Sequence, residues 1–498
     1  MMTIRLKHDG TPRTSSRWFG IAALVVCALG ASIAVGAYMV RGEEPSRPVF
    51  ALPNEIVGPD PLLFDADDTS AYERAAAFGL SHALFAKSPG GVVATAKRTA
   101  AFRPLVEEAV SGTDIDADLL EAIVFLESAG RPDVIAGDDP EHAAGLTQIL
   151  AETATDFLGM HVDLAASRRL TRQIADAQVR GDEVAVGRLQ DERRQVDERF
   201  APAEALAGTV RYLSEARRRF GRDDLALVSY HMGIGNLERV LRAYSRRPTG
   251  DIEHIVKEEG LSYARLYFDS SPIDHREAWQ QLASFGDDSQ TYYWRVLAAR
   301  DIMRLVREDP ARLEHLAELY GHGPSAELVL HPPHATRRFA GPDELEQAVR
   351  RGSLQPLPDD PAELHFRVDP RLGQTVRQLG GDPAAYRALR PRALRLLRYL
   401  AARVYELSKE ERPLTVTRAA YDEGAGAVLT PPDLAGGAHT SLHATGFAFD
   451  VRRRYGSGSQ AAALQWTLER LEALGLIAWT RGKGVIHVIV SPRADVSP

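Results

Sequence analysis

From Trp18 to Val40 the chain runs WFGIAALVVCALGASIAVGAYMV without a single charge. A helix needs roughly 20 apolar residues to cross the hydrocarbon core of a bilayer, so this stretch reads as a transmembrane anchor at 18–40. Arg5, Lys7, Arg13 and Arg17 precede it against Asp9 alone. By the positive-inside rule, residues 1–17 stay in the cytoplasm and everything after Arg41 is exported. A cleaved signal peptide is the rival, with Ala34, Gly36 and Ala37 as small residues for a cleavage site, but cleavable apolar regions are usually shorter, roughly 7–15 residues. The expected location is therefore the cell membrane, single-pass, with the bulk of the protein outside the cytoplasm. The one cysteine, Cys27, falls inside the apolar run. That rules out an intramolecular disulfide and leaves no thiol for catalysis beyond the membrane.

At 498 residues the chain exceeds one ordinary core, so two or three domains are expected. The formal net charge of −8 is mild for this length and gives no sign of a nucleic-acid partner, which would call for a basic domain. Residues 41–70, rich in Pro and Asp, read as a tether, and leading helices carry it to about 98. Over 99–310 apolar residues recur at three- and four-residue steps, as in Leu119, Leu120, Ile123, Val124 and Leu126, predicting a helical domain. Within it, residues 166–199 are densely charged around Gly181 and predict a protruding helical hairpin with solvated faces. Pro-Pro, Gly-Gly and Pro-Asp breaks mark 311–385 as a linker region with short helices. Residues 386–498 begin with an Arg-rich amphipathic helix. Strand-like runs follow at Leu414–Thr417 and Val485–Val490, with a helical stretch at 459–475 between them, so this part reads as an α+β domain.

Chemistry centres first on Glu127, which closes the apolar helical stretch Leu119–Leu126. A carboxylate at such an edge is partly desolvated, which raises its pKa and lets it hold a proton near neutral pH. Two further segments follow in order: Gly145-Leu146-Thr147-Gln148, then Ser229-Tyr230-His231-Met232-Gly233. Together with Glu127-Ser128 they resemble the catalytic domain of lytic transglycosylases, whose fold is similar to goose-type lysozyme and whose pattern is Glu-Ser, Gly-Leu-Met-Gln, Ala-Tyr-Asn. The resemblance covers roughly 105–300. It implies that Glu127 is the sole acid/base, that Gly145 allows close backbone approach, and that Gln148 lines the sugar cleft. It also implies that Tyr230 hydrogen-bonds near Glu127, with Ser128 and His231 in the substrate-binding set. Thr147 replaces Met and His231 replaces Asn, and the second change puts one sugar contact in doubt. The implied reaction cuts the bond between N-acetylmuramic acid and N-acetylglucosamine, leaves a 1,6-anhydro sugar and needs no cofactor. Most glycosidases use two carboxylates. Asp138 and Asp139 lie near in sequence, so a hydrolytic muramidase is the alternative chemistry.

A second constellation is His443, Asp450 and His487, whose N and O donors suit Zn²⁺ with one position left open. Ser441, His443, Gly446, Ala448 and Asp450 resemble the motif of zinc D-alanyl-D-alanine carboxypeptidases, Ser-x-His-x-x-Gly-x-Ala-x-Asp with a later His, over about 386–493. The resemblance implies a zinc centre and recognition of peptidoglycan stem peptides. It also implies a general-base Glu three residues before the last His, where this chain has Gly484, flanked by Lys483 and Arg481. Asp422 or Glu423 from another strand end would have to substitute. Otherwise the domain binds stem peptides without cutting them. The expected fold class is thus multidomain: an N-terminal transmembrane helix, a mainly α lysozyme-like domain and a C-terminal α+β domain. The expected partners are glycan strands, stem peptides and, through 18–40, the membrane. A non-catalytic wall-binding protein and a zinc peptidase with a degenerate lysozyme-like part are the other readings.

Overall fold

The computed structural model describes residues 60–286, 288–321, 325–332, 336–358, 364–374, 381–429, 442–494 and 496. The helix Ala117–Ser128 is the axle of the helical part. Asp116 caps its start by accepting from the Asp118 amide (2.8 Å), a bond that satisfies one of the free amides of the first turn. Leu120, Ala122, Ile123 and Val124 are fully buried, and Tyr292–Glu308 packs along its length. Ala129 ends it with a left-handed φ of 56°. Gly130 follows where a Cβ would lie 2.6 Å from the Thr99 amide nitrogen, so no larger residue fits.

The charged segment folds as two antiparallel helices, Leu164–Val179 and Glu183–Val196. Leu170, Ile174, Ala177, Val186 and Leu189 close a small core of their own between them. Charge outside and a narrow apolar seam inside is what the composition of this stretch permits.

The C-terminal sheet has five strands in the order β2-β4-β5-β7-β6, where β2 is Phe366–Val368, β4 Leu414–Arg418, β5 Ala448–Arg452, β6 Ile477–Arg481 and β7 Val485–Val490. Only β2 and β4 run parallel. A separate two-stranded ladder pairs β1 (Gln355–Pro356) with β3 (Ala388–Leu389). The segment expected to be linker therefore supplies β1 and β2. The Arg-rich helix spans Pro391–Ser408, and Gly458–Ala473 packs against it.

These parts share one body, since residues 52–498 form a single compact unit. Trp466 donates its indole N–H to the Ser270 carbonyl (2.9 Å). Arg470, fully buried, donates to the Tyr267 carbonyl (2.9 Å) and lies 3.6 Å over that ring. Gly79 brings its helix so close to Gly458–Ala473 that a Cβ would sit 2.3 Å from the Ala473 carbonyl oxygen. The start of the described chain is also docked, for Asp60 is held by Tyr399 (2.5 Å) and Arg403 (2.7 Å).

This corrects the expected fold class. The described chain is a mainly helical body with a small sheet, and among the described residues no helix is long and apolar enough to cross a membrane. The physical reason is charge. Pro202–Phe220, at 19 residues, carries Arg211, Arg217, Arg218 and Arg219. The transmembrane segment expected at 18–40 lies outside the described residues, as does Ser441 of the zinc-peptidase motif.

Candidate functional site

Glu127 stands at the last turn of its helix beside a cleft of about 390 Å³, which Lys87, Ser128, Arg131, Asp288 and Arg295 also line. That volume is in the range of small-ligand sites. Tyr292, the first residue of Tyr292–Glu308, donates its hydroxyl to Glu127 Oε1 (2.7 Å). Burial pushes the Glu127 carboxyl up to about 7, against the downward pull of the Tyr292 bond and the Arg295 charge. Desolvation wins because, among the described residues, no cation pairs with the carboxylate directly. Arg295 is paired with Asp288 instead.

The other motif residues meet around this carboxyl in ways the sequence motif does not specify. Tyr230 does not bond Glu127. Its hydroxyl donates to the Thr147 carbonyl (2.7 Å) and sits 3.2 Å from the Thr209 hydroxyl. It is still close enough that the Glu127 charge pushes its own ionisation upward, beyond the effect of burial. The bond to Thr147 ties the tyrosine motif to the Gly-Leu-Thr-Gln loop. His231 stacks on the Tyr292 ring (centroids 4.9 Å) and shares a 2.9 Å bond with Ser289. It thus fixes the tyrosine that holds the acid. Ser128 is buried and spends its hydroxyl on its own helix, at the Val124 carbonyl (3.2 Å).

Gly145 allows close approach, but of the protein's own backbone. With φ +81°, a Cβ there would lie 1.7 Å from the Arg199 carbonyl oxygen. Gln148 turns inward. Its amide donates to the carbonyls of Gly145 (2.9 Å) and Val134 (3.2 Å), and it is not among the residues lining the cleft. These two placements have one cause. The loop from 140 to 149 is clamped from the base of the helical hairpin by Arg199, which is fully buried, bonded to Asp197 (2.9 Å) and donates to the carbonyls of Pro140, His142 and Ile149. Buried carbonyls must find donors, and in this loop the Gln148 amide and the Arg199 guanidinium supply them.

Asp138 is exposed, and Asp139 is paired with Arg168 (2.8 Å), so neither reaches the cleft. The second carboxylate that lines it, among the described residues, is Asp288. Tyr292, Arg295 and Asp288 were not found from sequence. The signal available was a Tyr-Tyr-Trp run opening a helix, which reads equally as core.

In the C-terminal sheet, the antiparallel register sets Asp450 on β5 directly opposite His487 on β7. His443 sits in the short 3₁₀ turn Leu442–Thr445 that leads into β5. Asp450 Oδ1 lies 3.0 Å from His443 Nε2 and 2.7 Å from His487 Nδ1. The three ligand atoms fall within 4.8 Å of one another. Tetrahedral ligands on zinc stand ~3.3 Å apart, given bonds of about 2.0–2.1 Å. The surroundings fit a cation. His443 faces an acceptor at each nitrogen, the Ala419 carbonyl at Nδ1 (2.8 Å) and Asp450 at Nε2. A neutral imidazole has a single N–H to give, and burial disfavours the doubly protonated ring. Asp450 is held well below the usual carboxylate range by the two histidines, despite burial. Asp422, one of the two substitutes expected for the missing Glu, is spent on Tyr386 and the Ala425 amide.

No protein-family model matches the chain, and no curated protein matches it.

Proposed function

We propose that this chain is a peptidoglycan lytic transglycosylase with Glu127 as its single acid and base. The observation that carries the reading is a half-buried carboxyl at the end of an apolar helix, opening on a cleft and pushed by desolvation up to about 7. At neutral pH such a group is protonated often enough to donate and deprotonated often enough to accept. Glu127 would pass its proton to the glycosidic oxygen as the bond from the muramyl anomeric carbon breaks, so that N-acetylglucosamine leaves as an alcohol. The resulting carboxylate would take the proton of the muramyl 6-hydroxyl as that oxygen closes on the same carbon. The acid is regenerated, a 1,6-anhydro ring forms and no water is consumed. Tyr292 would steady the carboxylate between the two transfers. A peptidoglycan substrate would put this work outside the cytoplasm.

Mass spectrometry of fragments from purified sacculi tests the proposal. Wild-type chain should release anhydro-muramyl ends, and Glu127→Gln should cut their rate by about 10²- to 10⁴-fold, the usual worth of a positioned acid. Products heavier by one water would support hydrolysis with Asp288 as the second carboxylate. Unchanged release from Glu127→Gln would sink the assignment.

The C-terminal site carries a second reading, favoured by the acceptors facing both nitrogens of His443. His443, Asp450 and His487 would hold zinc, which supplies a Lewis acid toward a peptide carbonyl or carboxylate. Gly484 offers no side chain where a base is needed, so this part is proposed to grip stem peptides rather than cut them. Release of D-alanine in a chelator-sensitive way would count against that restriction.

A further inference from the structure

We propose that Glu327 is a positioning residue of the C-terminal metal centre, holding His487 in the tautomer that presents its Nδ1 lone pair inward. The proposal rests on the zinc reading of His443, Asp450 and His487 given above. Glu327 belongs to the helix Ser325–Leu330, in the segment that reads from sequence as linker. That helix packs on β6 and β7. The residue is 9% exposed, and its Oε1 lies 3.6 Å from His487 Nε2, within ion-pairing reach.

The geometry divides the His487 ring into two faces of duty. Nδ1 points to Asp450 at 2.7 Å, and Nε2 points to Glu327. With a cation taking the place of the proton between Nδ1 and Asp450, the carboxylate beside Nε2 would hold the remaining ring proton on that side and leave Nδ1 free to ligate. His443 is arranged in mirror fashion. The Ala419 carbonyl takes the Nδ1 proton (2.8 Å), leaving Nε2 inward. Each histidine thus ligates through a different nitrogen, and each has an acceptor fixing the choice from outside. The same placement bars Glu327 from the base role. It stands beyond the ring, on the side away from the ligand atoms, whereas a base must come within about 2.6–3.2 Å of the proton it removes.

Zinc affinity of the full chain, measured by competition with a chromophoric chelator, tests the assignment. Glu327→Ala should weaken zinc by about 10- to 100-fold, the usual cost of losing an outer partner of a ligating histidine. Glu327→Gln, whose amide oxygen can accept the same N–H, should recover most of that loss. Co²⁺ bound in place of zinc should give the same visible bands in wild type and Glu327→Ala, because the ligand set is untouched. Equal zinc affinity in wild type and Glu327→Ala would overturn the positioning role. Altered Co²⁺ bands would overturn it too, by making Glu327 a direct ligand. A wild-type chain that binds no zinc would bring down the metal centre itself, a result distinct from tight wild-type binding that ignores Glu327.

Discussion

At the scale of single residues, Glu127 decides the most. Its ordinary value is 4.5 and its value in the fold is about 7, so the folded state binds the proton more tightly. The stability this provides is complete below pH 4.5 and lost as pH rises through 7. Glu127→Gln removes that loss, so its melting temperature should exceed that of wild type at pH 8 and match it near pH 4. The gain is at most ~3 kcal/mol at one pKa unit per 1.36 kcal/mol. Glycan cleavage should fall with the same limb, as the acid deprotonates. Tyr292→Phe removes a bond that favours the carboxylate, so a pH–rate profile should show this limb moved upward and the maximum lowered. Tyr230→Phe should leave the limb nearly in place, since that hydroxyl serves Thr147. The sequence made the acid legible, because an apolar run ending in Glu-Ser announces desolvation. It pointed to Tyr230, which stands near the acid, and not to Tyr292, which bonds it. Order along the chain tells which motifs exist, not which hydroxyl a fold delivers to a carboxyl 165 positions away.

At the scale of elements, the loop from 140 to 149 and the helical hairpin behave as one piece. Gly145→Ala forces a Cβ onto the Arg199 carbonyl at 1.7 Å and a left-handed φ on alanine. The expected cost is ~3 kcal/mol or more, read from denaturant midpoints. Arg199→Met should act similarly, leaving the loop carbonyls and Asp197 without their donor. Polar replacements at Val179 and Val184, both exposed at the hairpin tip, should stay within about 0.5 kcal/mol. The hairpin, β7 and the helix Gly458–Ala473 were legible because each has a clean period or charge pattern. The inward turn of Gln148 was not, since whether an amide serves sugar or backbone depends on which carbonyls the neighbouring loop strands. β2 was not legible either. Three residues inside a Pro- and Gly-broken segment carry too little alternation to announce a strand.

At the scale of the molecule, the helical part and the sheet are joined by buried side chains that reach across the seam. Trp466 and Arg470 both donate to carbonyls of the helical part. Arg470→Met, which keeps the stem and removes the guanidinium, should therefore turn one cooperative thermal transition into two, as seen by calorimetry. The composition signalled two modules, a helical run and then an α+β run. It could not signal their fusion, because an arginine stacked on a tyrosine reads in sequence as two surface residues. The fusion has a mechanical consequence. On the proposed function, two sites carried on one compact unit would act as a caliper, its jaws set at one opening. Among cross-linked strands it would bite only where backbone and side branch happen to fall at that separation, so the mesh of the wall would itself select the sites of cutting.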